Sequence, residues 1–473
     1  VYRLASSLGL SGFVANGPAG VVIEAQGSAD KLEQFAGTLR KEPPPNAVIR
    51  EFAQQRADVR PEAGFRIAAS EEEGDASAFL LPDLAICEEC RREMSDPADR
   101  RFGYAFTNCT VCGPRYSIVE SLPYDRPRTS MRHFPMCGAC EAEYRNPESR
   151  RFHAQTNCCP ECGPELSSGV GAVAAALRQG AIAAVKAVGG YLLVCDAANS
   201  EAVARLRERK RRPRKPFALL AGSIEEAARL CRFGAEEARL LRSPAGPIVL
   251  MQRRSSAPVC DEVAPGGNPR LGVMLPSSGI HVLLAGAFGG PLVATSGNLS
   301  EEPIAFEDQE AALRLRGIAD LFLAHNRPIL RPVDDSVAQA AGGAPCLLRR
   351  ARGYAPLPLE SPWALEEIAA AGAHMKNTVA FSRGRLVWVS QHLGDLDLLP
   401  GIQNHRRALA DFMAIYKVRP VRAACDLHPG YASTRTAEAM GVAVARVQHH
   451  EAHAWAALME AGWREPCAVV AWD

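Results

Sequence analysis

Four Cys-x-x-Cys pairs constrain this chain more than any other feature: Cys87/Cys90, Cys109/Cys112, Cys137/Cys140 and Cys159/Cys162, with gaps of 18, 24 and 18 residues between them. A Cys-x-x-Cys turn aims two thiolates at one cation, and two such turns supply the four sulfurs that tetrahedral zinc prefers. The pairs fall in an internal repeat with a period of 50 residues: Asp96-Pro97 recurs as Asn146-Pro147, Arg100-Arg101-Phe102 as Arg150-Arg151-Phe152, and Gly113-Pro114 as Gly163-Pro164. One zinc per repeat is expected, with Cys87, Cys90, Cys109 and Cys112 on one ion and Cys137, Cys140, Cys159 and Cys162 on the other. Interleaved pairing between repeats is the alternative. Redox-active pairs are the competing reading, which four regularly spaced pairs disfavour. Cys158 abuts Cys159 and is either a spare thiol or an alternate ligand. Zinc would supply the folding energy that a short segment of low apolar content lacks. The chain has 15 cysteines, an odd number, and no charged-then-apolar leader opens it. A full disulfide framework is therefore a poor reading, and a cytoplasmic location is expected. Cys195, Cys231, Cys260, Cys346, Cys425 and Cys467 lie mostly in apolar surroundings and read as core.

At about 150 residues per domain, 473 residues suggest three domains. With 47% hydrophobic and 23% charged residues the chain is globular, and its net charge of +1 gives no bulk drive onto nucleic acid. No run of about 18 apolar residues predicts a membrane-spanning helix. Residues 1–70 read as a small α/β unit. Phe13-Val14 and Val21-Val22-Ile23 flank the turn Asn16–Gly20, a hairpin signal. Leu32, Phe35, Ala36 and Leu39 share one helical face within Ala29–Leu39. Pro43-Pro44-Pro45 breaks the chain, and Glu71–Asp75 reads as an acidic linker. Residues 84–166 are the cysteine segment. Residues 167–358 alternate helices with β-rich runs and predict a mixed α/β domain. Pro356, Pro358 and Pro362 mark another linker, and residues 363–473 hold a last α/β segment. No Walker-type loop and no Gly-x-Gly-x-x-Gly occurs, so an ordinary P-loop or Rossmann site is unsupported.

Arg207 to Lys215 is strongly basic, in a chain with seven lysines against 47 arginines. A solvated face or nucleic-acid patch is the plain reading. However, Pro213 and Pro216 stiffen the run, and Phe217-Ala-Leu-Leu220 follows at once, so it can hold cations at a pocket rim. Downstream lie Thr295-Ser296-Gly297-Asn298-Leu299-Ser300, then His325-Asn326-Arg327, Arg331 and Asp334-Asp335-Ser336. The last segment carries Lys376-Asn377-Thr378, Ser390–Asp395 and Gln448-His449-His450-Glu451-Ala452-His453. His449 and His453, four residues apart, share a helical face on which two imidazoles can hold one metal; capping or packing is the alternative.

These residues carry resemblances. Lys210-x-Arg212-Pro213-x-Lys215-Pro216 followed by Thr295-Ser296-x-Asn298-x-Ser300 resembles the YrdC family, which activates a small carbonyl acid with ATP as an acyl-adenylate. The resemblance implies that Lys210, Arg212, Lys215, Arg327 and Arg331 neutralise the triphosphate and that Thr295, Ser296, Asn298 and Ser300 orient nucleotide or acyl group. The last segment resembles the amino-terminal lobe of TsaD-type carbamoyltransferases, of the actin/hexokinase-like fold. It implies nucleotide contacts at Lys376 and at Asp473, the expected start of a phosphate loop, with iron or zinc at His449 and His453. Residues 1–70 resemble an acylphosphatase domain of ferredoxin-like fold. There Asn16 matches the family's water-positioning Asn, while the phosphate-binding Arg is expected before Val1; Arg3 is not assigned that role. Both ends thus read as cut.

The order of acylphosphatase-like, double zinc, YrdC-like and TsaD-like parts resembles the HypF family. It implies a multidomain α/β enzyme of [NiFe]-hydrogenase maturation. Such an enzyme uses carbamoyl phosphate and ATP with Mg²⁺, holds two structural zinc ions, and transfers a carbamoyl group through carbamoyl adenylate to the carboxy-terminal Cys of the partner HypE. Membrane and nucleic-acid partners are not expected. A tRNA threonylcarbamoyl-type transferase shares two of the four parts. A DnaJ-like zinc module for protein docking accounts only for residues 84–166.

Overall fold

The computed structural model describes the chain except residues 18–19, 44–45, 48, 50, 62, 69–78 and 473 and the side chains of Asn16 and Gly17. The described residues form two compact units: 1–79 with 109–111 and 137–157, and 80–108 with 112–136 and 158–473.

In the first unit the expected hairpin is present: strands Ser11–Gly17 and Gly20–Gln26 pair antiparallel, with Gly17 opposite Gly20. Its turn lies outside the described residues. Gly12 has φ +129°, and a Cβ there would sit 2.1 Å from the Glu24 carbonyl, so the pairing requires glycine. Phe65–Ile67 adds a parallel strand to the first. The helix Ala29–Lys41 lays Phe35, Ala36 and Leu39 onto this sheet, where Phe35 and Leu39 join a small core with Ala5, Leu10 and Phe65. The acidic stretch Glu71–Asp75 lies outside the described residues.

The cysteine repeat recurs as local structure. Cys87 and Cys137 sit in extended conformation immediately before the helices Glu88–Ser95 and Gly138–Arg145. The second cysteine of each pair, Cys90 or Cys140, therefore falls in the first helical turn and is buried. After each helix a side-chain acceptor folds the chain back: Asp96 Oδ1 accepts from Ala98 N and Asn146 Oδ1 from Glu148 N, both at 2.9 Å. Gly103 at φ +65° then donates to Met94 O, and His153, fifty positions on, does the same to Tyr144 O at φ +53°.

The large region of the second unit is built on a ten-stranded mixed sheet. Its order is Leu321–Leu323, Ala183–Lys186, Tyr191–Asp196, Leu292–Ser296, Ala218–Leu220, Arg270–Met274, Ile248–Arg253, Val337–Ala341 and Ala344–Arg349, with Cys231–Arg232 paired to Ile248–Arg253. The apolar runs Ala183–Lys186 and Tyr191–Cys195 are buried on both faces. Ala184, Leu193 and Cys195 enter one core, while Ala183, Val185, Leu192 and Val194 enter another. A further five-stranded sheet runs Pro358–Leu365, Ala380–Val389, Ile368–Ala370, Arg422–Asp426 and Ala443–Val447. The helix Leu399–Tyr416 buries Leu409, Phe412 and Ile415. Of the six cysteines read as core, Cys195, Cys231 and Cys425 are buried, Cys260 and Cys346 are half-buried, and Cys467 is exposed, since residues 463–471 are almost wholly solvent-facing. Among the described residues no helix is long and apolar enough to cross a membrane.

Candidate functional site

The eight cysteines gather as Cys87, Cys90, Cys109 and Cys112 and as Cys137, Cys140, Cys159 and Cys162, the ligand sulfurs of each set lying within 4.8 Å of one another. Cys90 Sγ and Cys112 Sγ are 3.7 Å apart, and Cys159 Sγ and Cys162 Sγ 3.8 Å. Tetrahedral zinc with bonds of about 2.3 Å separates its sulfurs by about 3.8 Å, whereas a disulfide needs about 2 Å. The donor set and spacing fit zinc, and each set stays within one repeat. Cys158 belongs to neither set. Its thiol lies 3.7 Å from Tyr104 Oη and from Phe106 O, and burial pushes its pKa up.

Lys210 ends the helix Ser200–Lys210 and is fully buried. Its ammonium donates to Ser296 O at 2.7 Å, to Asn298 O at 2.6 Å and to Asn298 Oδ1. All three N–H groups are thereby committed. Ser300 Oγ donates to Lys210 O at 3.1 Å, and Ser296 Oγ to Asn298 Oδ1 at 2.8 Å. The basic run and the hydroxyl loop are thus one knot, in which Lys210 holds the loop. Burial pushes Lys210 down to about 7, and Arg212 adds to the shift. Thr295 is buried in its strand.

Beyond the knot lies a charged cluster. Arg212 donates to Lys215 O at 3.2 Å and to Pro216 O at 2.7 Å, its guanidinium 5.3 Å from the Phe217 ring centre. Arg349 pairs with Asp334 at 2.9 Å. Desolvation raises Asp334, but Arg349 and the Asp335 N–H outweigh it and hold the carboxyl below its usual range. His392, from the five-stranded region, joins this cluster: its N–H donates to Arg350 O at 2.7 Å. Desolvation first, then Arg349, lowers His392 to about 4, with Asp334, Lys215 and Asp395 also acting on it. Arg327 and Arg331 are elsewhere. Arg331 donates to Val119 O and lies 3.8 Å from Asp411. Arg327 packs against Phe106.

In the last region, His449 Nε2 and His453 Nε2 stand 3.2 Å apart on the helix His449–Glu460. That separation suits two ligands of one metal with bonds of about 2.1 Å. Asp426 Oδ2, at the end of the strand Arg422–Asp426, lies 3.0 Å from His449 Nδ1 and orients the ring. Lys376 is in the left-handed region at φ +48°, its N–H donating to Asp395 Oδ1 at 2.6 Å. Asn377 is buried and donates to Ala371 O at 3.0 Å. Asp473 and the Asn16 side chain lie outside the described residues. Arg3 sits on the helix Tyr2–Ser7 and donates to Glu148 O at 2.8 Å.

Four family profiles match in order: "Acylphosphatase" over 1–67, "HypF finger" over 86–119 and 136–168, "Telomere recombination" of the Sua5, YciO and YrdC group over 175–351, and "HypF Kae1-like domain" over 364–460. Carbamoyltransferase HypF of Synechocystis sp. is 45% identical over 488 residues, covering 100% of this chain and 63% of the relative. The Rhizobium leguminosarum protein of that name is 46% identical over 460 residues, covering 96% of this chain and 60% of its own length. A crystal structure of full-length HypF in the phosphate- and nucleotide-bound form superposes with a TM-score of 0.92 at 40% identity, covering 98% of this chain and 62% of that one. The chain belongs to the HypF family. It spans about three-fifths of the length of these relatives.

Within this HypF-family chain, several charged residues escape sequence reasoning. Arg349 meets Asp334 because the last two strands of the large sheet return it beside Val337. Asp426 meets His449 across 23 residues of chain. Lys186 pairs with Asp308 at 2.6 Å and donates to His325 O at 3.0 Å. The available signal for Lys186 is a lone charge in an otherwise apolar strand.

Proposed function

We propose that this chain acts as an ATP-dependent carbamoyltransferase in [NiFe]-hydrogenase maturation. In the first step carbamoyl phosphate and water give carbamate and phosphate, with Asn16 positioning the water. Carbamate then attacks the α-phosphorus of ATP, forming carbamoyl adenylate and releasing pyrophosphate. Arg212, Lys215 and Arg349 offset the charge of the polyphosphate, which Mg²⁺ also neutralises. Ser296, Asn298 and Ser300, held by Lys210, orient the nucleotide. In the last step the terminal thiolate of HypE attacks the carbamoyl carbon, giving a thiocarboxamide and AMP. Iron or zinc on His449 and His453 would supply Lewis-acid polarisation, with Asp426 fixing the ring of His449 and Lys376 contacting nucleotide.

The observation that carries this reading is His392 of the Kae1-like region lying among Lys215, Arg349 and Asp334 of the YrdC-like region. An adenylate formed there is next to the transferring region, which limits its loss to water. A second reading has one supporting observation: threonylcarbamoyl-AMP synthase of Bos taurus is 34% identical over 140 residues, 29% of this chain. Labelled pyrophosphate exchange into ATP separates the two. Exchange stimulated by carbamate, and abolished by Lys215→Ala, is expected. Exchange stimulated by threonine with no response to carbamate would sink the carbamoyl reading.

A further inference from the structure

We propose that Arg327 and the amino-terminus of the helix Gly279–Phe288 form a subsite for a small planar oxyanion of the bicarbonate–carbamate class, distinct from the charged cluster around Lys210. The two meet in a small cavity whose polar lining includes Thr107, Asn108, Ser277, Ser278 and Arg327.

Arg327 is only 4% exposed, yet its side chain makes no hydrogen bond or ion pair with any described residue, and its Nε is buried without an acceptor. Its guanidinium lies 5.3 Å from the Phe106 ring centre, a contact that leaves every N–H unspent. Two other buried arginines of this unit have acceptors. Arg101 donates to Cys158 O at 3.0 Å, and Arg352 to Asp335 Oδ1 and to Gly246 O, both at 2.8 Å. The nearby carboxylate of Asp83 accepts from Arg115 N at 2.7 Å and from Ser117 Oγ at 2.9 Å through Oδ1; its Oδ2 is buried without a donor among the described residues, and it forms no ion pair with Arg327. A guanidinium does not give up its proton, so a buried one without a partner is costly unless an anion meets it.

The helix supplies the second half. It is ten residues long, with the Ser278 side chain as its cap. First-turn N–H groups have no acceptor within their helix, and the macrodipole favours negative charge there. A Cβ on Gly279 would lie 2.3 Å from Ala105 O, so only glycine lets the zinc segment close over this end. The remaining walls include Phe106, Val188 and Ile280. One planar cation with apolar walls matches a planar monoanion that takes the guanidinium fork through two oxygens. The choice of carbamate as the physiological member rests on the carbamoyltransferase reading; the subsite itself does not.

Bicarbonate is the probe, read on the zinc-loaded chain by thermal midpoint and by ¹³C line broadening. Bicarbonate should raise the wild-type midpoint by mass action. Arg327→Met should weaken bicarbonate binding by at least about tenfold while keeping its zinc and a midpoint in buffer no lower than wild type, because no partner bond is lost. Arg327→Lys, which keeps the charge but not the fork, should fall between. Wild-type bicarbonate affinity in folded Arg327→Met overturns the proposal. Should Arg327→Met lose its zinc, Val188→Leu decides, since it narrows the cavity and leaves Arg327 in place. Weakened bicarbonate binding in Val188→Leu supports the subsite, and unchanged binding overturns it. Carbamate-dependent pyrophosphate exchange is measured separately, so failure of the carbamoyltransferase reading stays distinguishable.

Discussion

The cysteine clusters and the Lys210 region are held together in opposite ways. Each cysteine cluster draws its four ligands from a stretch of 26 residues, and a turn or helix start sets each pair. The charged region takes Lys210, Ser296, Asp334, Arg349 and His392 from across more than 180 residues. Little local structure dictates that gathering. The lesson is that a metal site can be closed by short-range geometry, whereas a polyphosphate site is only as good as the sheet that delivers its parts.

The largest effect expected is on the local side of this comparison. Cys90→Ser should halve the bound zinc and unfold its repeat, because about 10 kcal/mol of linked binding energy is at stake in small zinc modules. Metal analysis and circular dichroism check this; full zinc content would mean that the cluster is not a metal site. On the tertiary side, Lys210→Met strips three carbonyl-type acceptors of one buried donor. A loss of about 3 kcal/mol in urea unfolding is expected, with faster amide exchange at Ser300, whose N–H bonds Lys210 O. A silent substitution would break the view of Lys210 as the tie of the loop. Asp426→Asn should lower metal affinity at His449 and His453 about 10- to 100-fold with the fold intact. Calorimetric metal titration reads it, and unchanged affinity would remove Asp426 from the site.

The smallest effect concerns His281, which burial pushes down to about 4 and whose Nδ1 lies 3.2 Å from Ser277 Oγ. Between pH 6.5 and 4 the unfolded chain binds the proton and the folded chain does not. Stability from this group is therefore complete above pH 6.5 and is lost as pH falls toward 4, amounting to about 2 kcal/mol by pH 5. His281→Asn should flatten that part of the pH–stability curve. An unchanged slope would mean that the ring is not buried neutral.

Much of the fold is legible in the sequence because local periodicity wrote it. The hairpin around Asn16-Gly17, the amphipathic helix carrying Phe35 and Leu39, and the two cysteine helices all follow from neighbours within a few residues. The site was legible in part. The basic run and the hydroxyl loop are recognisable as pieces, yet the sequence treats Lys210 as a phosphate contact, whereas the structure spends its three protons on the loop. Arg327 and Arg331 share the basic motif reading but point to different surroundings, Phe106 for one and the Val119 carbonyl for the other. Charge and spacing cannot tell a free guanidinium from a committed one, because the acceptors come from remote backbone.

By itself, the sequence picked out the eight candidate zinc ligands and the order of the four parts, since each depends on residues close in the chain. Only the tertiary structure decided that each set closes within its own repeat, that Asp426 backs His449, that His392 enters the charged cluster, and that the Arg327 side chain lies buried without a partner among the described residues. Those facts depend on which strands pair and which helices pack. They are set by burial of apolar surface summed over the whole domain, and no short window of residues contains that sum.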